Sequence, residues 1–185
     1  MKKGIWLTVL VIVLTGCFGT NEELDTAMQL RARLLAGGCS FDTVVTADYG
    51  DKTYSFSMQC QTDTDGNLTF TVMEPESIAG ITGTVSQDGG KLTFDDVALS
   101  FDTLADGLVT PVSAPWVLVN TLRGGYVTAC GDDGGTVRVS IDDSYADDAL
   151  HLDIWLGEDG MPERAEILWK ERRILSLEVS NFTIV

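Results

Sequence analysis

The chain has 185 residues, with 28 acidic against 12 basic side chains, a net charge of −16 at pH 7 and an apolar fraction of 44%. So negative a chain repels phosphate backbones and anionic headgroups, which excludes nucleic acid as a partner and leaves apolar groups to touch a membrane. The length suits one domain, able to bury roughly 70% of the surface its unfolded chain exposes.

Lys2 and Lys3 precede an apolar run from Ile5 to Leu14, and the small pair Thr15-Gly16 stands before Cys17. That is the order of a secretory leader. The run is too short for the about 20 apolar residues a spanning helix needs, so the chain is expected to be exported rather than membrane-spanning. Leu14-Thr15-Gly16-Cys17 resembles the lipobox of bacterial lipoproteins. The resemblance implies that residues 1–16 are removed as a signal peptide, that Cys17 receives a diacylglycerol, and that residues 17–20 form a tether. The chain would then sit at the extracytoplasmic face of the cell membrane, since two or more acyl chains anchor stably at about 0.8 kcal/mol per buried CH₂.

Thr20-Asn21-Glu22-Glu23 has the form of a capping box, and Leu24, Ala27, Met28, Leu34 and Leu35 follow at helical spacing until Gly37-Gly38. The spacing predicts an amphipathic helix over 21–36, packed by its apolar face onto a sheet. The period then becomes two: Tyr54, Phe56, Met58 and Cys60 alternate with polar residues, as do Leu68, Phe70 and Val72. Asp65-Gly66 supplies turn chemistry between these runs. After Pro75 comes Ile78-Ala79-Gly80-Ile81, then a third alternation through Gly83 and Val85, the turn Asp88-Gly89-Gly90, and a change of phase that a bulge at Asp95-Asp96 would make.

Residues 102–115 read as loop, and Trp116 to Arg123, with Ser113 as cap and Gly124-Gly125 as stop, as a second short helix that is either a lid or a plug. Strands resume at Tyr126 to Cys130 and continue through Val137-Val139-Ile141, the alternation Leu150, Leu152, Ile154 and Leu156, Ala165 to Trp169 and Leu175 to Val179. About ten strands joined by tight turns must be antiparallel. The expected class is mainly β (α+β), an antiparallel meander interrupted by two helices, in one domain over 21–185.

Three cysteines remain beyond Cys17, an odd number for an oxidising compartment. Cys39 and Cys60 flank a hairpin turning near Gly50-Asp51, so a disulfide between them is expected, two small buried thiols being the alternative. Cys130 is then a buried free thiol or an intermolecular bridge. No metal site is expected: no cysteine pair has zinc spacing, and the acids at Asp63 and Asp65 and at Asp142-Asp143 and Asp147-Asp148 lack the remaining positions of a calcium loop. No cofactor motif and no catalytic motif occurs. His151 and Asp153 share a strand face, but no nucleophile is set beside them by sequence, so catalysis is not expected. Trp155 should face away from the neighbouring leucines, where an exposed tryptophan can anchor an interface, packing under the N-terminal helix being the alternative.

The helix, the long antiparallel run, Asp65-Gly66-Asn67-Leu68-Thr69-Phe70, Pro75 with Ile78-Ala79-Gly80-Ile81, Pro115-Trp116 with Leu122, and the close from Gly160-Met161-Pro162-Glu163 to Asn181-Phe182 together resemble the lipoprotein-carrier (LolA/LolB-like) superfamily. The lipobox sets the chain nearer its lipid-anchored Gram-positive members, including germination lipoproteins, than the soluble shuttles. The resemblance implies a strongly curved half-open β-barrel with both helices over its concave face, and an acyl chain or lipoprotein held there. Tyr54, Phe56, Met58, Leu68, Phe70, Val72, Leu152 and Ile154 would line the cavity, the alternative being that this dry face is simply a core, and Ile78, Ile81, Trp116 and Trp155 would form a lid or interface. The alternative function is a non-catalytic scaffold for another envelope protein.

Overall fold

The computed structural model describes residues 22–87, 89–93 and 103–185. The leader, Cys17, the Thr20 cap and the proposed bulge at Asp95-Asp96 lie outside the described residues. Helix α1 spans Glu22–Ala36 and carries Glu22, Glu23 and Asp25 in its first turn and Arg33 in its last, each charge opposite to the helix-dipole end it meets. Its buried stripe is Ala27, Leu30 and Leu34, whereas Leu35, expected on that stripe, is exposed. Gly37 and Gly38 are needed for close approach. A Cβ on Gly37 would lie 2.5 Å from the Val185 carbonyl oxygen, and one on Gly38 would strike the Thr62 carbonyl. Only glycine lets the chain enter the sheet there.

Among the described residues ten strands follow: β1 (Cys39–Asp48), β2 (Thr53–Thr62), β3 (Leu68–Glu74), β4 (Thr82–Ser86), β5 (Gly89–Thr93), β6 (Tyr126–Asp133), β7 (Thr136–Asp142), β8 (His151–Leu156), β9 (Pro162–Trp169) and β10 (Arg172–Ile184). They form one antiparallel sheet in the order β5-β4-β3-β2-β1-β10-β9-β8-β7-β6. A plain meander would put the first and last strands on opposite edges. Instead β1 and β10 pair at the centre, from Cys39 opposite Ile184 to Ala47 opposite Leu175, and among the described residues β5 and β6 are the outermost strands. The pairing of the two terminal strands satisfies backbone groups that both would otherwise leave open.

Register slips at Ser40/Asp42, Ser57/Met58, Val127/Ala129 and Trp155/Leu156 mark bulges. Each bends its strand and sharpens the local twist, and the sheet curves without closing. Between its two halves lies α2 (Ala114–Gly124), two residues longer at its start than the spacing predicts. Ser113 does precede it, but its hydroxyl accepts the Thr110 N–H (3.2 Å) and donates to the Thr110 carbonyl (2.8 Å) instead of capping the helix.

Candidate functional site

The concave face is built by the period-two alternation. Phe56, Met58 and Cys60 of β2, Leu68, Phe70 and Val72 of β3, Leu152, Ile154 and Leu156 of β8, and Ala165 and Ile167 of β9 are all buried on it. Phe41 and Phe182 stack across the β1–β10 seam with centroids 5.2 Å apart. At about 1.5–3 kcal/mol for each fully buried large side chain, this layer is the main source of stability. Seven of the eight residues expected to line a cavity are here. Tyr54 is the exception: it lies past the covered part of β2, is 54% exposed, and meets the Tyr49 ring edge-on at 5.9 Å.

Both helices cover this face. Ala114, Pro115, Val117, Leu118, Val119, Thr121 and Leu122 of α2 are buried, and a helix buried on most of its sides is a plug rather than a surface lid. The two helices hold each other by their C-terminal carbonyls, which have no partner inside a helix. Arg31 of α1 donates to Leu122 O (2.7 Å) and Gly125 O (2.9 Å), while Arg123 of α2 donates to Leu34 O (2.6 Å) and Thr64 O (2.7 Å). Burial draws the Arg31 guanidinium below its ordinary value. Trp116 adds a bond from its indole N–H to Gly66 O, 3.1 Å, tying α2 to the β2–β3 turn. Ile81 is buried beneath the loop after β3 and Ile78 packs partly on the core.

The expected disulfide is not formed: Cys39 and Cys60 are free thiols. The hairpin does turn at Gly50-Asp51, but that centre sets Cys39 opposite Thr62 and Cys60 opposite Phe41, so the cysteines are diagonal rather than facing. Cys39 instead hydrogen-bonds through Sγ to the Thr62 hydroxyl at 3.1 Å. Burial pushes both thiols up, Cys60 further, with Cys39 and Asp42 beside it acting in the same sense. Both are inert as nucleophiles on that account. Cys130, on edge strand β6, is free and half-buried.

The opposite face of the sheet divides in two. Over β7, β8 and β9 it is a lattice of charges. The buried Asp153 carboxylate accepts from Arg138 (2.6 and 3.2 Å) and from the Ser140 hydroxyl (2.6 Å). Burial pushes the Asp153 carboxyl up, but these bonds and the charges of Arg138 and His151 outweigh it and hold it below its usual range. Trp155 faces this side, as expected, but it is no free anchor. It lies between Arg164 (4.3 Å) and Arg138 (5.4 Å), and its indole N–H donates to Asp133 (2.7 Å). Glu166 pairs with Arg164 and Arg173.

His151 Nδ1 is 2.7 Å from Asp142, and Nε2 is 3.5 Å from Asp153. Sequence reasoning saw the His151–Asp153 pair but missed Ser140, which the β7–β8 register sets opposite Asp153. Its hydroxyl donates to the carboxylate and not to the imidazole, and that carboxylate, held below its usual range by Arg138, is a poor base for activating it. Among the described residues no cluster of three metal-ligating side chains occurs. Asp63 instead accepts two bonds from Asn67, and Asp143 one from the Leu150 N–H, which fix turns.

Over β10, β1, β2, β3 and β4 the same face carries mostly hydroxyl and amide side chains, with Asp42, Asp48 and Glu178 among them. A groove of about 610 Å³ runs across these strands, lined by Ser40, Asp42, Gln59, Gln61, Thr69, Thr71, Thr82, Thr84 and Asn181 among others. A second hollow of about 580 Å³ lies beside Val44, Ser57, Met73 and Pro75.

No protein-family model matches the chain, and no curated protein matches it either. Among solved structures it is similar to an uncharacterized conserved protein from Thermus thermophilus, at 8% identity and a TM-score of 0.47, with 88% of this chain and 87% of that chain covered. It is similar to a LolA superfamily protein from Nitrosomonas europaea at 9% identity and a TM-score of 0.42, covering 86% and 93% of the two chains. LprF from Mycobacterium bovis is similar at 12% identity and a TM-score of 0.41, over 87% and 92%.

Proposed function

We propose that this chain is an envelope lipoprotein of the anchored rather than the shuttling kind, held at the membrane through a lipid on Cys17, whose half-barrel takes an acyl chain or an acylated ligand between the sheet and α2. The observation that carries this reading is the construction of the cover. The dry face of an unclosed sheet is roofed by helices that share no strand ladder with it, and side-chain donors of Arg31, Arg123 and Trp116 tie those helices down. The roof can therefore shift without breaking a single β-pair. The magnitudes allow it. An acyl chain of about sixteen carbons gains roughly 12 kcal/mol on burial, more than the two side-chain bonds that join the cover to the β2–β3 turn, Arg123 to Thr64 O and Trp116 to Gly66 O, at about 0.5–3 kcal/mol each.

A second reading, a scaffold for another envelope protein, is favoured by the filling of the concavity with α2 side chains. Native mass spectrometry of the full-length chain extracted from its membrane separates the two. The acyl reading predicts a bound amphiphile beyond the mass of the anchor. The scaffold reading predicts none, with a stoichiometric protein partner recovered by crosslinking.

A further inference from the structure

Among the described residues two buried side-chain polar atoms have no hydrogen-bond partner, the Thr121 hydroxyl of α2 and the Trp169 indole N–H at the end of β9. Trp169 is only partly buried, whereas Thr121 is 1% exposed. A threonine inside a helix ordinarily donates to the carbonyl four residues back. Thr26 of α1 does so, at 2.9 Å from Glu22 O. Thr121 makes no such bond to Val117. Its hydroxyl has left water and gained no partner inside the protein, a cost that valine, with the same shape, would avoid.

The position of Thr121 gives that hydroxyl a use. A Cβ placed on Gly125 would stand 2.6 Å from Ile141 Cγ2 and 2.8 Å from Thr121 Cγ2, so the Thr121 side chain abuts Ile141, a buried residue of the dry face. The hydroxyl is therefore held between α2 and the sheet, where the acyl reading places the ligand. A donor in that space calls for an acceptor. A buried carboxylate would also need a countercharge, and the guanidinium beside this end of α2, Arg31, is already directed at Leu122 O and Gly125 O. An ester or amide carbonyl needs none. We propose that Thr121 donates its hydroxyl to an uncharged acyl carbonyl, ester or amide, of the ligand beneath α2. This rests on the acyl reading above and narrows it to an acyl chain in covalent linkage rather than a free fatty acid.

The test is titration of the full-length chain in detergent with a pyrene-labelled fatty-acid methyl ester, followed by its displacement with methyl hexadecanoate, hexadecanoate and hexadecane. It is run at about pH 9, where the carboxylate is ionised, on wild type, Thr121→Val and Thr121→Ser. Each ligand partitions into the same micelles for all three proteins, so the ratio between proteins reports the site. Thr121→Val should weaken the methyl ester about fivefold, the worth of one neutral hydrogen bond, and leave hexadecane and hexadecanoate unchanged. Thr121→Ser, which keeps the hydroxyl, should bind the ester like wild type. Stripped of lipid, Thr121→Val should melt no lower than wild type, since the unpaired hydroxyl is gone. Equal binding of the ester by wild type and Thr121→Val would overturn this proposal and leave the acyl reading standing, as would a loss shared by hexadecane or by hexadecanoate. Displaceable binding of none of the ligands would overturn both.

Discussion

The two halves of the sheet's outer face use polar side chains in opposite ways. Over β7–β9, Arg138, Ser140, Asp153, Trp155, Arg164 and Glu166 are bonded to one another. Over β1–β4, Gln59, Gln61, Thr71 and Thr84 point to solvent or a groove with their hydrogen-bonding capacity open. Satisfied polar networks hold a fold together, and a buried member that loses its partner costs the full desolvation of what remains. Open exposed groups add nothing to folding and are available to a ligand. Polar side chains that hold the fold and polar side chains left open to solvent are thus separated along one sheet, and both differ from the dry face, where burial dominates.

The contrast can be broken at its strongest point first. Leu152→Ala removes a side chain with no exposure on the dry face, and should lower unfolding free energy by about 2–5 kcal/mol in urea titration. Asp153→Asn strips the carboxylate from the charged half and leaves Arg138 with a neutral partner. It should cost about 1–3 kcal/mol by the same measurement. Because the native Asp153 carboxyl is held below its ordinary value of 3.8, its contribution is fully present above that value and is lost as the pH falls through the native one. Wild type should therefore lose stability in that acid window, and Asp153→Asn should lose less. Stability that falls equally in both proteins would assign the acid sensitivity elsewhere.

Arg123→Ala frees the Leu34 and Thr64 carbonyls and should cost a similar or smaller amount, about 1–2 kcal/mol. Its distinguishing mark is faster amide exchange in α2 with the strands unchanged. At the small end, Gln61→Ala should stay within about 0.5 kcal/mol of wild type, and a drop comparable with Asp153→Asn would erase the distinction between the halves. A reductant should likewise leave the melting temperature unchanged, because Cys39 and Cys60 are free. A thiol reagent should reach Cys130 in the native protein and the other two only on unfolding.

Much of the fold was legible where burial imposes a period. Phe56-x-Met58-x-Cys60 and Leu152-x-Ile154 are read directly as strands with a dry side, and Trp155 is placed on the other side by the same rule. What the alternation does not contain is long-range register. The β1–β10 seam joins residues more than a hundred positions apart, and no local pattern announces it. The cysteine pairing failed by the smallest possible margin, since a hairpin centre known to within one residue moves the opposite partner by two. Ser140 was missed for the same reason. The helix stripe erred at Leu35 because apolar spacing alone does not say which side α2 covers. The groove on the outer face left no signal beyond a run of Thr, Ser and Gln, which any wet sheet face would show. Only the sheet order brings Gln59, Gln61, Thr71 and Thr84 to one hollow.

The central claim is that ligand enters beneath the helical cover of the half-barrel. A photoactivatable fatty acid, crosslinked to the full-length protein and mapped by peptide mass spectrometry, addresses it directly. The account predicts label on the inward residues of α2, such as Leu118, and on Met58 or Leu152 across from it, with more label in Arg123→Ala. Label confined to the outer face, or no label at a concentration that saturates a known fatty-acid binder, would contradict it.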